Sequence, residues 1–229
     1  MPRDPPVARP AHAPELVSTR RRTQRPVDLE DRLQRAVTAS RASGRPARLL
    51  NVGCGHDTRP GYVNVDISPL EGVDVVATLG AETLPFPDDT FSVALCRDVL
   101  EHVDVVPALG EVHRVLAPGG LVVISAVHFT SRNLYVDPTH VRGFSVRTLD
   151  FFVDGAGSLD RSYYFDFTFG EVIDAAVQFN TLLGNGKYLV WDRLVEPLVN
   201  SSPVVQDLYE LTFVSRLFPA ANVVAVLRK

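Results

Sequence analysis

Cysteine is nearly absent: Cys54 and Cys96 are the only two in 229 residues. Two are too few for a disulfide scaffold, and both sit near the ends of apolar runs, where buried structural thiols are the default. No apolar run reaches the roughly 20 residues of a membrane span. The N-terminus lacks the apolar core of a secretory signal. A cytoplasmic protein with no membrane span is therefore expected. Surplus positive charge is missing too. The formal net charge of −4 and the lack of a basic, aromatic-rich run argue against nucleic acid as a partner.

What is present begins with a core. Hydrophobic residues make up 45% of the chain, enough for one well-buried domain. Charge is uneven. Residues 1–26 carry six arginines against Asp4 and Glu15, a net +4, which leaves −8 for the rest of a chain at −4. The run Arg20-Arg21-Arg22 has the charge to touch phosphates or anionic lipid. The preferred reading of 1–26 is a disordered basic tail. One domain is expected over 27–229.

That domain is organised around Arg48 to Asp66, RLLNVGCGHDTRPGYVNVD. Leu49, Leu50 and Val52 suit a strand buried on both faces. Gly53 and Gly55 allow a sharp turn and close approach of a ligand to the backbone. Tyr62, Val63 and Val65 predict a second strand ending on the carboxylate of Asp66. Eleven positions from Gly55 to Asp66 leave too little chain for a full crossover helix, so a short loop through Pro60 and Gly61 is expected. Upstream, Asp28 caps a predicted helix with Leu29, Leu33, Ala36 and Val37 on one face. Downstream, strands are predicted at Val73–Ala77, Phe91–Cys96, Leu121–Ala126, Tyr163–Phe169, Val172–Phe179 and Val223–Leu227. A helix starts near Asp104 and stops at Pro118-Gly119-Gly120. Residues of about 181–219 read as an insertion, serving as a lid or a dimer surface; a homodimer stays open.

Four further segments join the glycine turn: Phe86-Pro87-Asp88-Asp89-Thr90-Phe91, Val99-Leu100-Glu101-His102-Val103, Arg114-Val115-Leu116-Ala117-Pro118-Gly119-Gly120 and Asp137-Pro138-Thr139-His140. The first three with the glycine turn resemble the motifs of class I S-adenosylmethionine (SAM) methyltransferases over roughly residues 48–128. The last resembles a DPTHxRxF segment of sugar- and glycan-directed relatives, including those of methylated-mannose polysaccharide synthesis. The resemblance implies a doubly wound, Rossmann-like α/β fold with a mostly parallel seven-stranded sheet. It implies SAM as methyl donor, held by Asn51, Gly53, Cys54, Gly55, Asp66, Ile67, Ala81, Glu82, Arg97 and Asp98. Asn51 stands where the family has an acidic residue, and Asp57 where it has a third glycine.

The implied reaction is O-methylation of a sugar hydroxyl. The runner-up acceptor is a non-sugar metabolite, and a different class is a non-catalytic scaffold with a SAM fold. An alcohol needs a base or a metal to become a good nucleophile. His140, oriented by Asp137, is the first candidate base, and His128 competes with it. Asp98, Glu101 and His102 fall on one side of a helical turn, and their resemblance to the Glu-x-x-Glu-His of some relatives implies a divalent-metal site, magnesium for example, completed by His128 or His140; the preferred reading is that Asp98 meets SAM and Glu101 caps or pairs. A structural role is the default reading for His102, a helix surface for His113 and solvent for His12. His56 reads as a turn residue.

Overall fold

The computed structural model describes residues 27–44, 47–155, 164–179 and 194–229. The tail 1–26 and the stretch 180–193, which holds the Gly184-Asn185-Gly186 turn and Trp191, lie outside the described residues. Seven strands form one sheet: β1 (Leu49–Val52), β2 (Tyr62–Asp66), β3 (Val75–Val76), β4 (Phe91–Arg97), β5 (Leu116–Val127), β6 (Glu171–Gln178) and β7 (Asn222–Arg228). Their order is β3-β2-β1-β4-β5-β7-β6. The first five run parallel, while β7 is antiparallel to both β5 and β6. This is the doubly wound α/β sheet that the strand pattern predicts. Ligands in such sheets bind beyond the carboxyl ends of the parallel strands.

Both faces of the sheet are covered. Helix α1 (Leu29–Ala42) starts at Asp28, whose carboxylate accepts from the Glu30 N–H. It buries Leu29, Leu33, Ala36 and Val37 against Leu49, Val93, Leu95 and Val123. Helix α2 (Val105–Val115), capped by Asp104, buries Leu109, Val112 and Val115 on the other face with Ala94, Cys96, Val122 and Ile124. A chain buried on both faces explains why β1 and β4 are nearly continuous apolar runs.

Two expectations need correction. Pro118-Gly119-Gly120 does not end α2, which stops at Val115; residues 116–120 already run extended, with Leu116 in register with Phe91. Among residues 164–169 there is no strand. The alternating Phe165, Phe167 and Phe169 pack as rings around Phe152 and His113 instead. Apolar alternation recorded aromatic packing there, without a partner strand to pair with.

Between β1 and β2 there is no helix, as the short spacing predicts. Polar side chains hold the connection. Buried Asn51 donates to the Asp57 carbonyl (2.8 Å) and to Asn64 Oδ1 (3.1 Å), and Asn64 Oδ1 also accepts from the Arg59 N–H (2.9 Å). Asn51 and Asn64 are register partners on β1 and β2. After β6, three short helices follow: α4 (Glu196–Val199), α5 (Pro203–Leu211) and α6 (Val214–Leu217), while α3 (Asn133–Val136) lies earlier, beyond β5. Glu196 accepts from the backbone N–H groups of Val27 and Phe179, which ties this late segment to the entry of α1.

Candidate functional site

One side of the candidate site is built from the turn after β1. Gly53 has φ +63 and Gly55 φ +51, in the left-handed region that favours glycine. A Cβ on Gly53 would lie 2.3 Å from Val99 Cγ2, so the turn packs directly on the residue that follows Asp98. A Cβ on Gly55 would meet nothing within 4 Å, so the space over that residue is open. The Gly55 N–H donates to Asp66 Oδ2 (2.8 Å), and the Ser68 N–H to Oδ1 (2.9 Å). Asp66 is thereby fixed at the end of β2, with Ile67 beside it 65% exposed. Ala81 and Glu82 are exposed near the end of β3. Cys54 is buried, and burial raises its thiol above the ordinary value; Cys96 is pushed up to about 12. Both behave as packing thiols.

Asn51 does not face this space. Its amide is buried in the staple described above, because the shortened connection needs a donor where a carboxylate would only accept. Arg97 is at the rim with Asp57 (3.2 Å) and Asp98 (3.7 Å). Arg59 joins the same rim to α1 through Glu30 (2.6 Å), and that hydrogen bond holds the Glu30 carboxyl below its ordinary range. Asp98 itself has φ +50. Its Oδ1 accepts from Ser125 Oγ (2.8 Å) and Asn222 Nδ2 (2.9 Å). A non-glycine residue held left-handed at a strand end is a frequent mark of a functional position.

The other side of the candidate site follows β4. The 3₁₀ turn Leu100–His102 begins two residues after Asp98. It does not gather Asp98, Glu101 and His102 as helical spacing suggests. Glu101 is 1% exposed and turned inward, its Oε1 accepting from the Val127 N–H (3.1 Å). Burial pushes its carboxyl up to about 7, and Oε2 has no partner among the described residues. The tight turn and the left-handed Asp98 break the periodicity that the helical reading needs.

His102 instead meets the loop after α3. The Val141 N–H donates to the Glu101 carbonyl (2.8 Å) and docks that loop on the turn. Among the described residues, His102, Asp137 and His140 bring one ligand atom each within 4.8 Å of one another. The two imidazoles stand edge to face, 4.5 Å between centroids. The Asp137 carboxylate does not orient the His140 ring by a hydrogen bond: Oδ2 and Nε2 are 3.9 Å apart, and the bond between the two residues is the backbone one from the His140 N–H to the Asp137 carbonyl (3.3 Å). The Asn133 carbonyl takes His140 Nδ1 (3.0 Å) in its place. Asp137 Oδ1 accepts from the hydroxyl (2.6 Å) and N–H (2.9 Å) of Thr139, which hold its carboxyl below the ordinary range.

His128 is elsewhere. It is fully buried, with Nδ1 on Thr130 Oγ1 (2.7 Å) and Nε2 on Glu210 Oε1 (3.0 Å). Glu210, from α5, also accepts from Ser145 Oγ and the Val146 N–H. A histidine with both nitrogens engaged and no exposed surface fastens the late helices to the segment after β5 rather than serving as an open base. Sequence reading missed Asn64, Asn133 and Thr139. The Asp-x-Thr spacing of Asp137 and Thr139, with His140 next in the chain, was the available signal for Thr139.

Residues 50–124, the span from β1 into β5, match a methyltransferase domain family. A stretch of 72 residues is 32% identical to an uncharacterised protein of Methanocaldococcus jannaschii, covering 28% of this chain and 32% of that protein. The match thus spans about a third of that relative's length. A SAM-dependent methyltransferase from Archaeoglobus fulgidus is similar in structure, with 19% identity, a TM-score of 0.54, and 88% of this chain and 93% of that one covered. A protein of Galdieria sulphuraria, described as a candidate sarcosine dimethylglycine methyltransferase, gives 16% identity and a TM-score of 0.53 over 87% and 84% of the two chains.

The fold is the one seen in solved SAM-dependent methyltransferases, and the segment similar to the methyltransferase domain family takes in the glycine turn, Asp66 and the end of β4. SAM is the methyl donor of that class. No helix among the described residues is long and apolar enough to cross a membrane.

Proposed function

We propose that this protein transfers the methyl group of SAM to a hydroxyl of a saccharide or of a growing polysaccharide, of which a methylated-mannose polysaccharide precursor is one example. The observation that carries the reading is the contact of Gly53 with Val99, which joins the donor turn to the segment bearing His102. Donor and acceptor groups then share one edge of the sheet, where a parallel α/β sheet binds ligands.

Bound SAM supplies a methyl group on a sulfonium, already activated for attack. The chain's residues bind, orient and exclude water around it. The open backbone at Gly55 and the fixed Asp66 fit a nucleoside with a ribose diol, and Ile67 offers an apolar surface beside it. Arg97 and Asp98 supply charge at the donor side. In the transfer the methyl–sulfur bond breaks as the methyl–oxygen bond forms, the sulfur keeps the electron pair, and the hydroxyl loses its proton. His140 is the residue we assign to that proton: the Asn133 carbonyl fixes Nδ1 as the protonated nitrogen, which leaves Nε2 as the acceptor. The polar character of His102, Thr139 and His140 supports a hydroxylated acceptor, as does the resemblance of the Asp137–His140 segment to glycan-directed enzymes.

The test is incubation with labelled-methyl SAM and a panel of saccharides, phenols and carboxylates, with products read by mass spectrometry. A labelled saccharide is expected. Label only on a phenol or carboxylate would move the acceptor class to non-sugar metabolites. No SAM binding by calorimetry would leave the scaffold reading.

A further inference from the structure

We propose that His102, Asp137 and His140 bind a divalent transition-metal ion that holds the acceptor's oxygen. The argument rests on where the protons are. Asp137 is an ionised acceptor, so the Thr139 hydroxyl must donate to it at 2.6 Å. Thr139 Oγ1 can then only accept from His102 Nδ1 at 2.8 Å. His102 therefore carries its proton on Nδ1, and Nε2 holds a lone pair. His140 is fixed in the same way, since the Asn133 carbonyl at 3.0 Å can only accept. Each imidazole thus has an oxygen behind it that sets the tautomer, the arrangement found behind metal-binding histidines.

Asp137 is used from one side as well. Thr139 occupies Oδ1 twice, while Oδ2 lies 3.9 Å from His140 Nε2, too far for a hydrogen bond. His140 Nε2 and Asp137 Oδ2 thus face each other with no donor between them, and His102 brings a ring nitrogen into the same group of ligand atoms within 4.8 Å. Bonds of about 2.0–2.2 Å to one ion would draw ligand atoms now within 4.8 Å to about 3.3 Å, a movement that side-chain rotation supplies.

Two histidines and one carboxylate are the donors of zinc, manganese or iron(II), whereas magnesium prefers oxygen ligands. Three protein ligands leave positions open for a substrate oxygen. The ion would lower the hydroxyl pKa, and the released proton would pass to water, so that with the ion bound His140 Nε2 serves as a ligand and its role as proton acceptor holds only for the metal-free protein. The role given to the ion rests on the methyl-transfer reading; its binding does not.

Chelator-treated full-length protein is titrated with cobalt(II), followed by visible absorption, and with zinc by calorimetry. One equivalent with ligand-field bands is expected. His102→Ala, Asp137→Asn and His140→Ala should each weaken binding at least a hundredfold. Thr139→Val, which removes only the supporting hydroxyl, should weaken it about 10- to 100-fold. Melting curves and SAM calorimetry on the same samples report folding and the donor site separately. Absence of bands, or unchanged cobalt affinity in folded variants, overturns the metal site and leaves His140 as a protein base. Failure of SAM to bind would instead overturn the methyl-transfer reading, whatever the ion does.

Discussion

At the amino edge of the sheet, charged side chains satisfy one another. Arg114 reaches Asp88 and Glu111 (2.6 Å each) and the carbonyls of Leu84 and Phe86. Lys229 holds Asp89 and the Leu116 carbonyl (2.7 Å each). Asp88, Asp89, Arg114 and Lys229, with His113 and Asp166, line a cleft of about 440 Å³. At the carboxyl edge the polar groups are held from one side only. Asp66 is fixed by backbone N–H groups, and His102 and His140 by oxygens behind Nδ1. Saturated ion pairs lock a turn, whereas groups fixed at the back and open at the front are ready for a ligand.

Even the left-handed aspartates differ this way. Asp89 (φ +58) sits in a turn with its carboxylate on Lys229, while Asp98 (φ +50) ends a strand at the donor site. A pair of glycines should break the comparison most sharply. Gly53→Val puts a side chain into Val99 and should abolish SAM binding by calorimetry. Gly119→Ala, at φ +76 with nothing within 4 Å of its Cβ, should cost about 1–2 kcal/mol of stability and leave SAM affinity alone. Normal SAM binding by folded Gly53→Val would remove the donor site from this turn.

Histidines give the next largest contrast. His140→Ala should lower turnover on the order of 100- to 10,000-fold with SAM affinity kept. His128→Ala strips a buried partner from Glu210 and should cost about 1–3 kcal/mol, seen as a lower melting temperature with little change in kcat. If His128→Ala lost turnover while its stability held, the two roles would be exchanged.

The smallest effect concerns His113, which burial, with the charge of Lys229 adding, holds below its ordinary pKa of 6.5. As pH falls through about 6.5, the unfolded chain takes up a proton that the folded chain resists. Stability contributed at this position is thus present above that pH and lost below it. His113→Gln should flatten the fall in urea stability between pH 7.5 and 5.5. A steeper fall in the variant would contradict the assignment.

The legible parts of the chain were those fixed by local backbone need. Gly53 and Gly55 announced their turn because only glycine relaxes there, and the strands β1, β4 and β5 announced themselves as apolar runs. The short β1–β2 connection followed from counting residues. The acceptor group was half legible. Asp137 and His140 stood out, but His102 comes from a different segment, and a tertiary bond from Val141 to Glu101 brings it in. Spacing alone instead grouped His102 with Asp98 and Glu101, because nothing local shows that Asp98 turns left-handed or that Glu101 points inward. The tie of Asn51 to Asn64 was hidden for a similar reason: the two are thirteen residues apart, across a strand pair.

The conformation of Asp98 restricts the alphabet of this position. Only glycine, asparagine and aspartate sit readily at φ +50. Substitution there can therefore alter charge while preserving shape. Asparagine would keep the backbone and an oxygen for Ser125 and Asn222, and would delete one negative charge beside Arg97. Sequence drift at residue 98 amounts to tuning the local potential at constant geometry, a dial with very few settings.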